Sequence, residues 1–127
     1  HTIVEAHPDV LARMEADGWA ERPGVTVLAG TWQEVLPPLC DAASPPFDAV
    51  FFDTFAEGAD ELFRLHALLP GLLAKGGVYS YFNGIAAHDE FLHRVYCTAA
   101  RHHLAGLGLS TRFEPVAVPG GLLTLTL

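Results

Sequence analysis

Phe47-Asp48-Ala49-Val50-Phe51-Phe52-Asp53-Thr54-Phe55 is the stretch on which the reading of the fold turns. Its middle, Ala49 to Phe52, is an unbroken apolar run, preceded by Pro45-Pro46 and followed by an acidic segment from Glu57. A short apolar run bounded by turn residues predicts a strand buried on both faces, the kind found in parallel sheets covered by helices on each side. Asp53 is the first charge after the run and therefore falls at the strand's carboxyl end, the edge at which open α/β sheets bind ligands. An acid in that place serves either as a helix cap or loop residue or as a carboxylate aimed into a binding cleft.

Working outward, Thr2 to Glu5 is a short β-rich run broken by His7-Pro8. Pro8-Asp9 opens a helix with Val10, Leu11 and Met14 on one face, and Gly18 ends it. Pro23-Gly24 turns the chain into a strand from Val25 to Gly30. Thr31 caps a helix through Trp32, Val35 and Leu36, with Glu34 at the capping-box position, and Pro37-Pro38 makes that helix short or broken. Downstream, a helix from Ala59 to Leu73 carries Leu62, Leu65, Leu68, Leu69 and Leu72 on its apolar face, with Glu57, Asp60 and Glu61 favouring its positive end and Lys75-Gly76-Gly77 stopping it. A strand from Val78 to Phe82 ends at Asn83-Gly84, and a long helix from His88 to Leu104 follows. Leu109 to Val116 and Leu122 to Leu127 read as two strands linked by Pro119-Gly120-Gly121, too short for a helical crossover and hence antiparallel. The order β-α-β-α-β-α-β-α-β-β predicts an α/β domain over residues 1–127, with a mostly parallel, doubly wound sheet and an antiparallel strand pair at its C-terminal end.

Composition limits the partners. Fifteen acidic residues against seven lysines and arginines give a net charge of −8, which argues against a nucleic-acid partner and suits a cationic substrate. No apolar run approaches the length of a membrane span. Cys40 and Cys97 match no metal or redox spacing, so free thiols in a reducing compartment are expected, the cytoplasm first and the nucleus second. His93, His102 and His103 fit no zinc pattern, and no metal is expected. Ser80 lacks the strand-turn-helix context of a hydrolase nucleophile.

Three places carry ligand chemistry. Glu5 ends the first strand, where an acid in a nucleotide-type layout accepts hydrogen bonds from ribose hydroxyls; the plainer alternative is an ordinary strand-end acid. Gly30-Thr31-Trp32-Gln33 follows the second strand, and an aromatic residue with a polar neighbour there suits an adenine ring, although a Trp opening an amphipathic helix also serves as core. Asp53 is the third. The glycine-rich turn that normally opens a nucleotide-binding α/β domain is missing: Gly76-Gly77 and Gly120-Gly121 precede strands, the wrong context for cradling a phosphate or carboxylate. The chain reads as starting at the second strand of that plan, and it is expected to be a fragment of a longer enzyme. No positive motif supports a nucleotide-binding oxidoreductase.

The combined motifs Ile3-Val4-Glu5-Ala6-His7-Pro8-Asp9-Val10-Leu11, Gly30-x-Trp32-Gln33, Phe52-Asp53-Thr54-Phe55 and Phe82-Asn83-Gly84 resemble the type IV protein arginine N-methyltransferases, over nearly the whole chain. That family is related to guanidinoacetate N-methyltransferase, which shares Ile3-Val4-Glu5, the Trp at 32 and Asp53-Thr54. The resemblance implies a Rossmann-like class I methyltransferase fold whose first strand and glycine-rich loop are missing here. The implied reaction is transfer of a methyl group from S-adenosylmethionine to the δ-nitrogen of arginine in a protein, with a ribosomal protein as the implied substrate. Glu5, Ala6, His7, Trp32, Gln33 and Asp53 would then border the cofactor, and Asp53, Thr54, Phe55 and Asn83 the acceptor, with Asp53 catalytic. A guanidinium stays protonated at neutral pH, so a carboxylate that orients it and helps remove a proton is what such chemistry needs. Phe55 stands where the guanidinoacetate enzyme has Tyr, which weakens a small-molecule acceptor. The alternatives are that small-molecule enzyme and a non-catalytic remnant that only binds.

Overall fold

A computed structural model describes residues 1–41, 47–54, 58–81 and 88–114. Its elements run β1 (Thr2–Glu5), α1 (Pro8–Ala16), β2 (Thr26–Ala29), α2 (Trp32–Val35), α3 (Pro37–Cys40), β3 (Phe47–Phe52), α4 (Ala59–Leu72), β4 (Leu73–Tyr81) and α5 (Glu90–Gly106). The alternation expected from the sequence is present as far as α5, and both strand pairings among the described residues are parallel. β1 pairs with β2 from Thr2 opposite Thr26 to Glu5 opposite Ala29, and β3 pairs with β4 up to Phe52 opposite Tyr81. Among the described residues the strands form two separate two-stranded sheets and not one continuous sheet.

Local chemistry sets the boundaries. His7 caps α1, its Nδ1 accepting from the Asp9 N–H at 3.2 Å, and Pro8 occupies the first helical turn, where a missing N–H costs nothing. Pro37-Pro38 divides the next helical segment as expected, into α2 and α3. Asp89 caps α5 by accepting from the Leu92 N–H at 2.9 Å.

Three expectations are corrected. The helix after β3 ends at Leu72, and Gly76-Gly77 lies within β4 and does not stop the helix. Between the pairs Phe47–Leu73 and Ala49–Val78, β4 carries extra residues, and Gly77 is pressed against β3 there: a Cβ would stand 3.0 Å from the Asp48 carbonyl oxygen and 2.9 Å from that of Ala74. A glycine pair in this sequence marks a bulge with close backbone approach. Second, β3 is not buried on both faces. Val50 and Phe52 face the helices, whereas Ala49 and Phe51 are exposed, Phe51 at 71 %, beside an exposed Val78. The apolar run reveals what a strand can bury, not what packs on it. Third, Leu109 to Glu114 forms no strand; the rest of that predicted strand, and Leu122–Leu127, lie outside the described residues.

The core sits between α4, α5 and the inner face of β3-β4. Leu69, Leu73 and Leu104 form its centre, flanked by Val50, Tyr79, Tyr81 and Leu109. Leu62, Leu65, Leu69 and Leu72 are buried as the helical period predicts, but Leu68 is only partly so, and His66 takes a place on the same stripe with no exposed surface. His66 lies among Tyr79 (ring centroids 5.3 Å apart), Tyr81 (5.6 Å), His103 (5.5 Å) and Phe63 (6.1 Å). Neither of its ring nitrogens, nor the Tyr79 or Tyr81 hydroxyl, has a hydrogen-bond partner among the described residues.

Such a setting disfavours a charged imidazole. Burial, with a smaller push from His103, lowers His66 from the ordinary 6.5 to about 4. Below pH 6.5 the unfolded chain takes up a proton that the folded chain refuses, so the folded state loses ground as pH falls through that window. We expect up to about 3 kcal/mol of stability to be lost between pH 6.5 and 4, read as a falling denaturation midpoint that His66→Leu makes flatter. Truncation at the centre, Leu69→Ala, should cost about 2–5 kcal/mol in the same measurement.

Candidate functional site at the carboxyl ends of the strands

Parallel strands deliver their carboxyl ends to one edge of a sheet: Glu5 and Gly30 stand at that end of β1-β2, and Asp53 and Thr54 follow that end of β3. Glu5 is fixed by the turn it starts. Its Oε1 accepts the His7 N–H at 2.7 Å, and its backbone carbonyl accepts the Gly30 N–H at 2.9 Å. One carboxylate oxygen is thereby engaged with the backbone, while the other has no hydrogen-bond partner among the described residues on a half-buried side chain. Ala6 and His7 are exposed beside it.

Gly30 makes this geometry possible. Its φ is +142°, a conformation that residues with a Cβ rarely adopt, and a Cβ there would meet Val35 at 3.0 Å. The chain then enters α2 through Thr31, whose backbone N–H and hydroxyl both donate to Glu34 Oε2, at 3.2 and 2.9 Å. Those bonds, the hydroxyl's first, hold the Glu34 carboxyl below its ordinary value.

Trp32 and Gln33 diverge from there. Trp32 is buried, 8 % exposed, with its ring edge-on to Phe52 at 6.0 Å and 88°. Gln33 is exposed and reaches α4, its Nε2 donating to Glu61 Oε2 at 3.1 Å. These two contacts bring the end of the β1-β2 pair to the end of the β3-β4 pair. Glu61 also takes Arg64 Nη1 on its other oxygen at 2.9 Å. Sequence reasoning assigned Glu61 only to the helix dipole; its spacing to Arg64, one helical turn on, was the available sign of a more ordered role.

Asp53 and Thr54 are exposed immediately after β3. Phe55 and Asn83, also expected at the site, lie outside the described residues, as do Glu57 and Gly84. No group of three His, Cys, Asp or Glu side chains among the described residues is placed to hold a metal ion. His93 is buried with Nε2 3.5 Å from Cys97 Sγ on the same helix, while His102 lies in an apolar hollow of about 480 Å³ on α5, lined by Phe91, Arg94, Val95, Thr98 and Ala99 and by none of the predicted site residues. Cys40 is a partly buried free thiol held between the Leu36 and Leu68 carbonyls, and burial raises its pKa.

Comparison with known proteins bears on this edge. The family model described as guanidinoacetate N-methyltransferase matches residues 1–103, which includes β1 through most of α5. The chain belongs to that family. Proteins named protein arginine N-methyltransferase 2 are similar to it: 42 % identity over 118 residues in Yarrowia lipolytica (93 % of this chain, 25 % of the relative), 38 % over 123 residues in Debaryomyces hansenii (97 % and 28 %), and 39 % over 109 residues in Saccharomyces cerevisiae (86 % and 26 %). This guanidinoacetate N-methyltransferase family chain thus spans between a quarter and a third of the length of these relatives. No solved structure gave a significant match.

For this family member the turn at Gly30 is the local feature on which the placement of Glu5 and Gln33 depends. Gly30→Ala is expected to cost about 1–3 kcal/mol through backbone strain, seen as a lower denaturation midpoint.

Proposed function

We propose that this chain is part of a Rossmann-like methyltransferase that moves a methyl group from S-adenosylmethionine to the δ-nitrogen of an arginine in a protein, a ribosomal protein being the proposed substrate and the cytoplasm or nucleus the proposed site of action. The observation that carries the reading is the pair of contacts, Trp32 on Phe52 and Gln33 to Glu61, by which the strand end that holds Glu5 meets the one that Asp53 follows, in a chain of this family. The relatives' printed names specify arginine as the acceptor, and a protein of net charge −8 suits a cationic one.

The residues present fit such a cofactor. Glu5 has one oxygen left to accept from ribose hydroxyls, Gln33 offers an amide to an adenine edge, and Trp32 backs the same wall from within the core. When bound, S-adenosylmethionine supplies an electrophilic methyl on its sulfonium. Everything else is left to the side chains. Asp53 would accept hydrogen bonds from the guanidinium, orient the reacting nitrogen and take up the proton that this nitrogen loses as its N–C bond forms and the S–C bond breaks, leaving S-adenosylhomocysteine. Thr54, Phe55 and Asn83 are assigned to the acceptor side, Ala6 and His7 to the cofactor side.

A second reading, free guanidinoacetate as acceptor, is favoured by the description of the matching family model; methylation of guanidinoacetate in place of a protein arginine would establish it. The first experiment is calorimetric titration of S-adenosylmethionine into these 127 residues, beside a longer form of the protein. Binding by neither would favour a chain that does not catalyse. In a form that binds, Asp53→Asn is expected to lower methyl transfer about 10²–10⁴-fold while cofactor affinity stays nearly constant; equal loss of both would refute the role given to Asp53.

A further inference from the structure

The hydrogen bond between Gln33 and Glu61 has a direction, and that direction has a chemical consequence. A primary amide presents an acceptor oxygen on one prong and two N–H donors on the other, and its orientation follows from its partners. A carboxylate accepts and does not donate. With Glu61 Oε2 at 3.1 Å, Gln33 must therefore turn Nε2 toward Glu61. Arg64 holds the opposite oxygen of the same carboxylate at 2.9 Å and fixes its plane, so the row Arg64–Glu61–Gln33 runs from α4 to α2 with a single polarity. Gln33 Oε1, on the prong away from Glu61, is then an acceptor whose orientation is set before any ligand arrives.

We infer that Glu61 is a positioning residue that makes Gln33 selective for a 6-aminopurine, by presenting Gln33 Oε1 to the exocyclic amino group of the base. This rests on the reading of the strand-end edge as the S-adenosylmethionine site. Adenine carries a donor at its 6-position, which Oε1 satisfies. A 6-oxopurine carries an acceptor there, which meets Oε1 as a like dipole. Glu61 touches neither base nor methyl group; it acts through Gln33. Fixing an amide in advance removes the choice that a free amide would use to accommodate either base.

The test compares S-adenosylhomocysteine with its 6-oxo counterpart, S-inosylhomocysteine, by equilibrium binding to the longest form of the protein that carries this sequence. The unaltered protein is expected to favour the amino ligand by about tenfold or more, the size of one well-directed hydrogen bond and the clash that replaces it. In Glu61→Gln the residue at 61 can itself accept or donate, so Gln33 is free to flip. The preference should fall to within about threefold, chiefly because the 6-oxo ligand binds better. Gln33→Ala should remove the preference alone and make a further Glu61→Gln change silent.

Equal weakening of both ligands in Glu61→Gln, with the preference intact, would assign Glu61 a merely structural role and overturn the inference. Failure of the unaltered protein to bind either ligand would instead overturn the cofactor reading beneath it. Binding of both ligands without preference would leave that reading standing and refute the selectivity.

Discussion

The apolar stripe of α4 is the constraint on which the remaining structure depends. Leu65, Leu69 and Leu72 are almost entirely withdrawn from water, and Leu69 joins Leu73 and Leu104 of α5 at the centre of the core, against Val50, Tyr79 and Tyr81 of β3-β4. Each such side chain contributes about 1.5–3 kcal/mol on burial, and Leu73, the first residue of β4, continues the same surface without a loop between. Fixing α4 fixes the direction of β3 and β4, and with them the point at which Asp53 leaves the sheet.

That core contains an unusual concession. His66 shares the stripe with the leucines, and two tyrosines meet it with hydroxyls lacking partners among the described residues. Burial also pushes both phenols up, Tyr81 to about 12, so these groups remain neutral through the physiological range. A neutral, aromatic and weakly polar centre keeps dipoles that an all-leucine interior lacks. The ring-to-ring contacts, T-shaped around His66 and stacked between Tyr79 and Tyr81, are of the kind that add directional preference to burial.

Much of this was readable from residues one at a time. Pro8 after His7, Thr31 with Glu34, and Pro37-Pro38 each act through local backbone chemistry, and each set its boundary as expected. What failed depended on partners distant in sequence. Gly76-Gly77 has the composition of a helix stop, but the approach of Asp48 makes it a strand bulge. Ala49–Phe52 is apolar enough for burial on both faces, yet only one is covered among the described residues. His66 had a signal of its own, its spacing to Leu62 and Leu69, which hydropathy alone discounts. The places of Glu5 and Asp53 at strand ends were legible from the apolar runs before them, whereas the contact of Glu61 with Gln33 was not, since its partner lies on another element. Trp32 admitted two readings, and its burial against Phe52 puts most of the ring in the core.

Pairing the strands two by two has a mechanical side. Each of β1, β2, β3 and β4 keeps one row of backbone donors and acceptors without a strand partner among the described residues, and on β3-β4 that row borders the uncovered Phe51 and Val78. Backbone rows beside apolar side chains are where one chain adds to another. A strand laid along that edge would satisfy the backbone row, and a helix laid over that face would cover Phe51 and Val78 together.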